Sequence, residues 1–204
     1  MKSTAVALLI CLLSISCSSN PNKYSTTQYS NVEIQLKDGT KMQGKLNFPI
    51  YFDENNLYLS GKQNKKIAAT TVNKVIYNTP TCEVVFENQA INNAEISNKT
   101  NNFQLLQLIS KGKINLYQGY NSGFVYTGKK SKFYNKTFLI YAKRENEVNP
   151  TLIYYDDNQI TKQELFSKAE KYLDSQRFIL SGYEKTYNHE ILIKSVNNYN
   201  NEQK

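Results

Sequence analysis

Residues 32–48 limit the possible folds more than any other stretch of the chain. Val32, Ile34 and Leu36 alternate with Glu33, Gln35 and Lys37. Met42, Gly44, Leu46 and Phe48 alternate with Lys41, Gln43, Lys45 and Asn47. Alternation with a period of two is the pattern of a strand with one buried and one wet face. Between the two runs stands Asp38-Gly39, a strong hairpin signal because glycine tolerates positive φ. Further strands are predicted at 57–59, 67–70 and 72–76, after the polar turn Asp53-Glu54-Asn55-Asn56. Five short strands with a glycine inside the second point to a strongly bent sheet or a small barrel.

The stretch Val32-Glu-Ile-Gln-Leu-Lys-Asp-Gly-Thr40, then Gly44, then Asn56-Leu-Tyr-Leu59 resembles the first motif of Sm-like and related SH3-like small barrels. The likeness implies a barrel over about this region. Sm-like barrels often bind RNA as rings, but the second motif of that family is not evident after Val72. No nucleic-acid partner is therefore expected.

Beyond residue 78 the pattern stays strand-rich. Thr79-Pro80-Thr81 reads as a boundary or edge, since proline cannot donate to a ladder. Residues 82–86 and 90–96 are predicted as a hairpin. Residues 101–109 are ambiguous: Phe103, Leu106 and Ile109 fit helical spacing, and Gly112 suits a C-cap. Strands are predicted at 113–117, at 124–126 returning after Asn121-Ser-Gly123, and at 138–142 paired with 151–155. The character then changes. Thr161 and Glu164 form a capping box. Leu165, Phe166, Ala169, Tyr172 and Leu173 follow at helical spacing. A second short helix is expected at 178–180. Asn188 is placed to cap a third, with Ile191, Leu192, Val196 and Tyr199 turned inward.

The first seventeen residues bear on address rather than fold. Lys2 precedes the apolar run 5–13, and Ser14-Ile15-Ser16 precedes Cys17. A basic n-region, a short apolar h-region and a small residue before the cleavage point make a secretory signal peptide. The apolar run is too short to cross a bilayer. Its end resembles the lipobox of Bacteroidetes-type lipoproteins, which implies cleavage before Cys17, acylation of its sulfur and a lipid tether. Residues 18–30 are polar and read as flexible. They lack the acidic cluster that resembles a surface-export signal, so the periplasmic face of the outer membrane is the expected location. Gly112-Lys-Ile-Asn-Leu-Tyr117, Lys143-Arg-Glu-Asn-Glu147 and Asn198-Tyr199-Asn200 also resemble envelope proteins of that phylum, from which no activity carries over.

The net charge of +8 in 204 residues is compatible with anionic surfaces. The lysines are dispersed, however. The densest groups, Lys62, Lys65, Lys66 and Lys129, Lys130, Lys132, are expected in turns. Once Cys11 is removed and Cys17 acylated, Cys82 is expected to lack an intrachain partner, leaving the fold to its apolar core.

Chemistry-bearing residues are few. His189 is the lone histidine, and His-Glu without a second histidine falls short of a zinc-protease signature. Cys82 with His189, Asp156-Asp157 and Glu145 with Glu147 each lack the surrounding spacing of a catalytic or metal site. No cofactor is implied. Of the sixteen tyrosines, Tyr117, Tyr120, Tyr126, Tyr134, Tyr141, Tyr154 and Tyr155 concentrate in the second β segment. Tyr117, Tyr120, Tyr126, Tyr134 and Tyr141 are the candidate binding surface, against the alternative of cross-strand packing.

The expectation is an α+β protein with a mainly antiparallel β body, formed by an SH3-like small barrel and a second β segment, and with a short helical C-terminal tail. Its divisions would be a signal peptide at 1–16, a tether at 17–30, the barrel-like region at 31–78, the second β segment at 79–158 and the tail at 159–204. Function is expected to be that of a non-enzymatic binding or structural module. It would be held to the membrane through lipid on Cys17, with another envelope protein or a glycan as partner. An enzyme acting on envelope polymers is the alternative, and an RNA-binding ring comes after it.

Overall fold

The computed structural model of the protein describes residues 28–51, 54–61, 64–79, 82–91, 103–120, 124–127, 130–133, 138–155, 162–173 and 188–202. In chain order the strands are β1 (Gln28–Leu36), β2 (Lys41–Phe48), β3 (Asn56–Leu59), β4 (Lys65–Ala68), β5 (Val72–Asn78), β6 (Glu83–Ala90), β7 (Phe103–Ser110), β8 (Ile114–Tyr120), β9 (Phe124–Thr127), β10 (Lys130–Phe133), β11 (Phe138–Arg144) and β12 (Thr151–Tyr155). Helices α1 (Lys162–Leu173) and α2 (His189–Glu202) follow. The class is α+β with a β-rich body.

Eight strands form one antiparallel sheet in the order β12-β11-β8-β7-β6-β5-β1-β2. The first hairpin is the predicted one. Val32 lies opposite Gly44 and Ile34 opposite Met42, with Val32, Ile34 and Leu46 buried. Gly39 turns the chain at φ 87°, and the Asp38 side chain accepts from the Thr40 amide at 2.9 Å. Backbone alternation thus commits the apolar half of each strand to the core.

The expected barrel is not closed. β1 lies between β2 and β5, but β3 and β4 form a separate two-stranded ladder. A bridge between Lys45 and Ser60 ties this ladder to β2. The free edge of β5 then takes up β6, with Val75 opposite Phe86. A sheet that adds another strand at this edge extends instead of curling back on itself. The stretch around Thr79 is consequently a hairpin end, not a boundary. Thr79 Oγ1 donates to the Cys82 carbonyl and accepts from the Cys82 amide. Regions 31–78 and 79–158 share one sheet, and β1 already begins inside the expected tether, at Gln28.

Residues 103–110 form a strand, not a helix: β7 is buried on both faces, and such strands read as continuous apolar runs without a two-residue period. Residues 83–90 are one strand paired on both sides, with β5 and with β7, so the hairpin predicted within 82–96 is not formed by them. β9 pairs with β10, while the neighbours of β8 are β7 and β11. Lys65 and Lys66 lie in β4, and Lys130 and Lys132 in β10, not in turns. Lys62, Lys129, Thr161 and 178–180 are outside the described residues. Cys82 is disulfide-bonded, contrary to expectation. Its partner lies outside the described residues, as do the chain's other two cysteines, Cys11 and Cys17.

The core has three parts. Val32, Ile34, Leu57, Ile67, Val75, Tyr77 and Phe86 gather at the N-terminal end. There Phe48 meets Tyr77 edge-on at 5.2 Å between ring centres, a geometry that adds about 1 kcal/mol to the burial itself. The helices cover one face of β8, β11 and β12, where Leu116, Ile140 and Ile153 pack with Ala169, Leu173, Leu192 and Val196. Leu106, Tyr117, Leu139, Tyr141 and Ile91 lie on the opposite face. The helices of the C-terminal tail thus pack over one face of the sheet. Asn188 caps α2 as predicted: its side-chain oxygen accepts from the Glu190 amide at 2.8 Å.

Candidate functional site: a polar groove along β2

The β1–β2 hairpin has a wet side, and that side together with the adjoining β2 edge carries the site. Asn31 pairs with Lys45 and Glu33 with Gln43, so alternation turns all four away from Val32, Ile34 and Leu46. Together with Asn78 of β5 and with Ser60, Gly61 and Lys65 beyond the β2 edge, they line a groove of about 1090 Å³. Val32, Met42, Gly44 and Leu59 supply the rest of its lining. Gly44 permits the close approach of β3 here. A Cβ at this position would stand 2.7 Å from both Leu59 Cδ1 and the Ser60 carbonyl oxygen.

The charges in the groove are unequal. Glu33 is the one carboxylate among its lining residues. It accepts from Gln35 at 2.8 Å and pairs with Lys41 at 3.3 Å. The Gln35 hydrogen bond, with Lys41 behind it, holds its pKa below the ordinary carboxylate value. Lys45 and Lys65 make no ion pair among the described residues. The groove is thus amide-rich and carries two uncompensated cations.

The tyrosines singled out by sequence do not make a surface. Tyr117, Tyr120 and Tyr141 are only 2%, 6% and 1% exposed. Tyr120 donates to Gln107 at 2.5 Å inside the sheet, and Tyr117 donates to Glu87 at 3.0 Å. The sheet is covered on both sides at these strands, which the one-sided alternation argument did not anticipate. The Tyr126 side chain and Tyr134 are outside the described residues, as are Cys17 and Asp156-Asp157. The exposed aromatic rings among the described residues are Tyr58 and Phe103.

The remaining candidates have structural roles. The His189 ring lies 5.5 Å from that of Tyr154. Glu147 does not pair with Glu145. It accepts from the Tyr172 hydroxyl and from the Arg144 amide, while the Arg144 guanidinium lies over the Tyr172 ring. This clasp joins the β11–β12 turn to the end of α1. A second polar chain runs from Tyr117 to Glu87, from the Gln89 amide to Glu87, and from Lys143 to the Gln89 oxygen at 3.1 Å. No group of three or more His, Cys, Asp or Glu that could hold a metal is found among the described residues. No helix among them is long and apolar enough to cross a membrane.

These buried phenols set a pH limit. Burial, with Glu54, Glu87 and Glu147 adding to it, raises the pKa of Tyr77, Tyr117 and Tyr172 above the ordinary 10.0. A raised folded-state value means that the stabilisation is complete below the unfolded value and is lost as pH climbs through the folded one. The melting temperature is therefore expected to hold through neutral pH and to fall above about pH 10. Tyrosine absorbance near 295 nm should rise together with unfolding. Ionisation of all tyrosines at the ordinary value in a still-folded chain would contradict the assignment.

The groove was missed at the sequence level although its signal was present. Lys41, Gln43 and Lys45 were legible as the wet half of an alternating strand. What alternation cannot reveal is that Ser60, Gly61 and Lys65 return beside them. No family model matches the chain, and no curated protein or solved structure matches it either.

Proposed function

We propose that this chain is a lipid-anchored envelope protein that works by binding, with a segment of another envelope protein received in the groove along β2. The observation that carries the reading is the lining itself. A polymer-cleaving enzyme calls for paired carboxylates in a cleft, and the groove residues include the single carboxylate Glu33, already engaged by Lys41. No aromatic ring is among the lining residues to stack on a sugar, which favours a polypeptide over a glycan. The leader pattern ending at Cys17 supports the tether and the periplasmic face. Several acyl chains on one lipidated cysteine anchor firmly, since each buried methylene contributes about 0.8 kcal/mol.

Two measurements test this. Intact mass and fractionation of the wild type beside Cys17→Ala should give an acylated membrane protein and an unmodified, released variant. Equal masses and equal solubility would defeat the anchor. The same spectrum decides the fate of the thiol, because a sulfur that carries an acyl chain cannot also bridge to Cys82. Replacement of Gln43 by a photo-crosslinking amino acid in living cells should yield a discrete adduct with an envelope protein. Irradiation that leaves the chain uncoupled would remove the groove from the proposal.

A further inference from the structure

We infer that the groove accepts an acidic, extended segment of its partner, added as a further strand along β2. This rests on the binding reading above and specifies the chemistry of that same groove.

Leu36 donates to the Thr40 carbonyl at 2.8 Å, so the hydrogen-bonded pairs of the first hairpin continue at Ile34–Met42 and Val32–Gly44. The intervening residues of β2, Lys41, Gln43 and Lys45, direct their peptide groups out of the sheet. Lys45 confirms this, since its amide and carbonyl exchange hydrogen bonds with Ser60 at 2.6 and 2.8 Å. The Gln43 peptide, two residues earlier on the same edge, has no backbone partner among the described residues. An edge with outward amides and carbonyls is a template for an incoming strand.

Charge selects the sign of that strand. Lys45 and Lys65 both line the groove without a described carboxylate partner, and Glu33 is occupied by Lys41 and Gln35. The Lys45–Ser60 bridge ends the open edge, and a carboxylate on a strand added beside Gln43 would lie next to the two cations that line the groove. The overall charge of +8 steers an acidic segment toward the protein from a distance. Gly61 borders this edge, because a Cβ on it would lie in ordinary contact with Gly44 Cα at 3.7 Å and with the Gln43 carbonyl oxygen at 3.9 Å.

The test uses the released Cys17→Ala chain and an acetylated heptapeptide of alternating Glu and Val, with its Lys–Val counterpart as the comparison. Binding is read by fluorescence anisotropy at low and high salt. The acidic peptide should bind about tenfold or more tightly than the basic one and weaken with salt. The double change Lys45→Glu and Lys65→Glu should reverse the preference. Because both side chains are exposed, the melting temperature should stay unchanged. Gly61→Trp should block the groove, and N-methylation of alternate peptide amides should abolish binding, as strand addition requires.

Equal binding of both peptides, or indifference to charge reversal, would overturn the acidic specificity. Undiminished binding of the N-methylated peptide, or equal competition by polyglucuronate, would overturn strand addition. Loss of peptide binding through self-association of the chain would make a second copy the occupant and would also overturn it. A Gln43 adduct with an envelope protein but no acidic-peptide binding would sink this inference alone. Failure of both would sink the binding reading too.

Discussion

Gly112→Ala is expected to lower stability by roughly 3 kcal/mol, a loss of several hydrogen bonds from one substitution in a turn. Asn200, near the end of α2, is 5% exposed. Its side-chain oxygen accepts from the Ile114 amide at 3.1 Å. Its nitrogen donates to the Ile114 carbonyl at 2.8 Å and to Ser110 Oγ at 3.1 Å. This carboxamide therefore pins the last helix to the β7–β8 turn, 86 residues earlier in the chain. A Cβ on Gly112 would stand 2.4 Å from Asn200 Cγ and 2.6 and 2.7 Å from its oxygen and nitrogen. The amide must leave, and the buried groups that it served then lack partners. The melting temperature should drop by roughly 10 °C for a chain of this size. Asn200→Ala should cost a similar amount, and the double variant little more than either, because removal of the amide makes room for the new methyl. A melting curve for Gly112→Ala within a degree of wild type would show that the pin carries little.

Gly44→Ala is expected to cost about 3 kcal/mol as well, by a different route. Here the added methyl meets Leu59 Cγ and Cδ1 and the Ser60 main-chain oxygen, all at 2.7 Å. The oxygen belongs to the bridge that ties β3 to β2, so relief requires the bridge to open. Hydrogen exchange should show this directly: the Lys45 and Ser60 amides, bonded at 2.6 and 2.8 Å, should lose protection together. The groove should lose its shape with them, and crosslinking from position 43 should fall. Gly61→Ala is the control, since its Cβ makes only ordinary contacts at 3.7 and 3.9 Å. Preserved exchange protection in Gly44→Ala would mean that β3 approaches β2 less closely than these distances state.

The features legible in the amino-acid sequence are those fixed by near neighbours. The β1–β2 hairpin follows from alternation around Asp38-Gly39. The pairing of β11 with β12 follows from two apolar runs around a charged turn, and Leu139 does face Tyr155. Helix α2 follows from the Asn188 cap and the spacing of Leu192 and Val196. Each depends on residues within a turn or a pleat of one another, where backbone sterics and local hydrogen bonds decide.

Tertiary structure decided the rest, through contacts between residues far apart in the chain. Leu105-Leu106-Gln107-Leu108-Ile109 is a strand because both faces of the sheet are covered there, and coverage is not a local property. The β body stays open because β5 bonds to β6 as well as to β1. Tyr117 and Tyr141 are interior because this face of the sheet is buried as well as the face under the helices. The groove joins the wet face of β2 to Ser60, Gly61 and Lys65, and Gly112 matters through Asn200. Sequence periodicity states which side of a strand prefers water. Only the assembled sheet determines which strand lies beside it and whether water reaches that side.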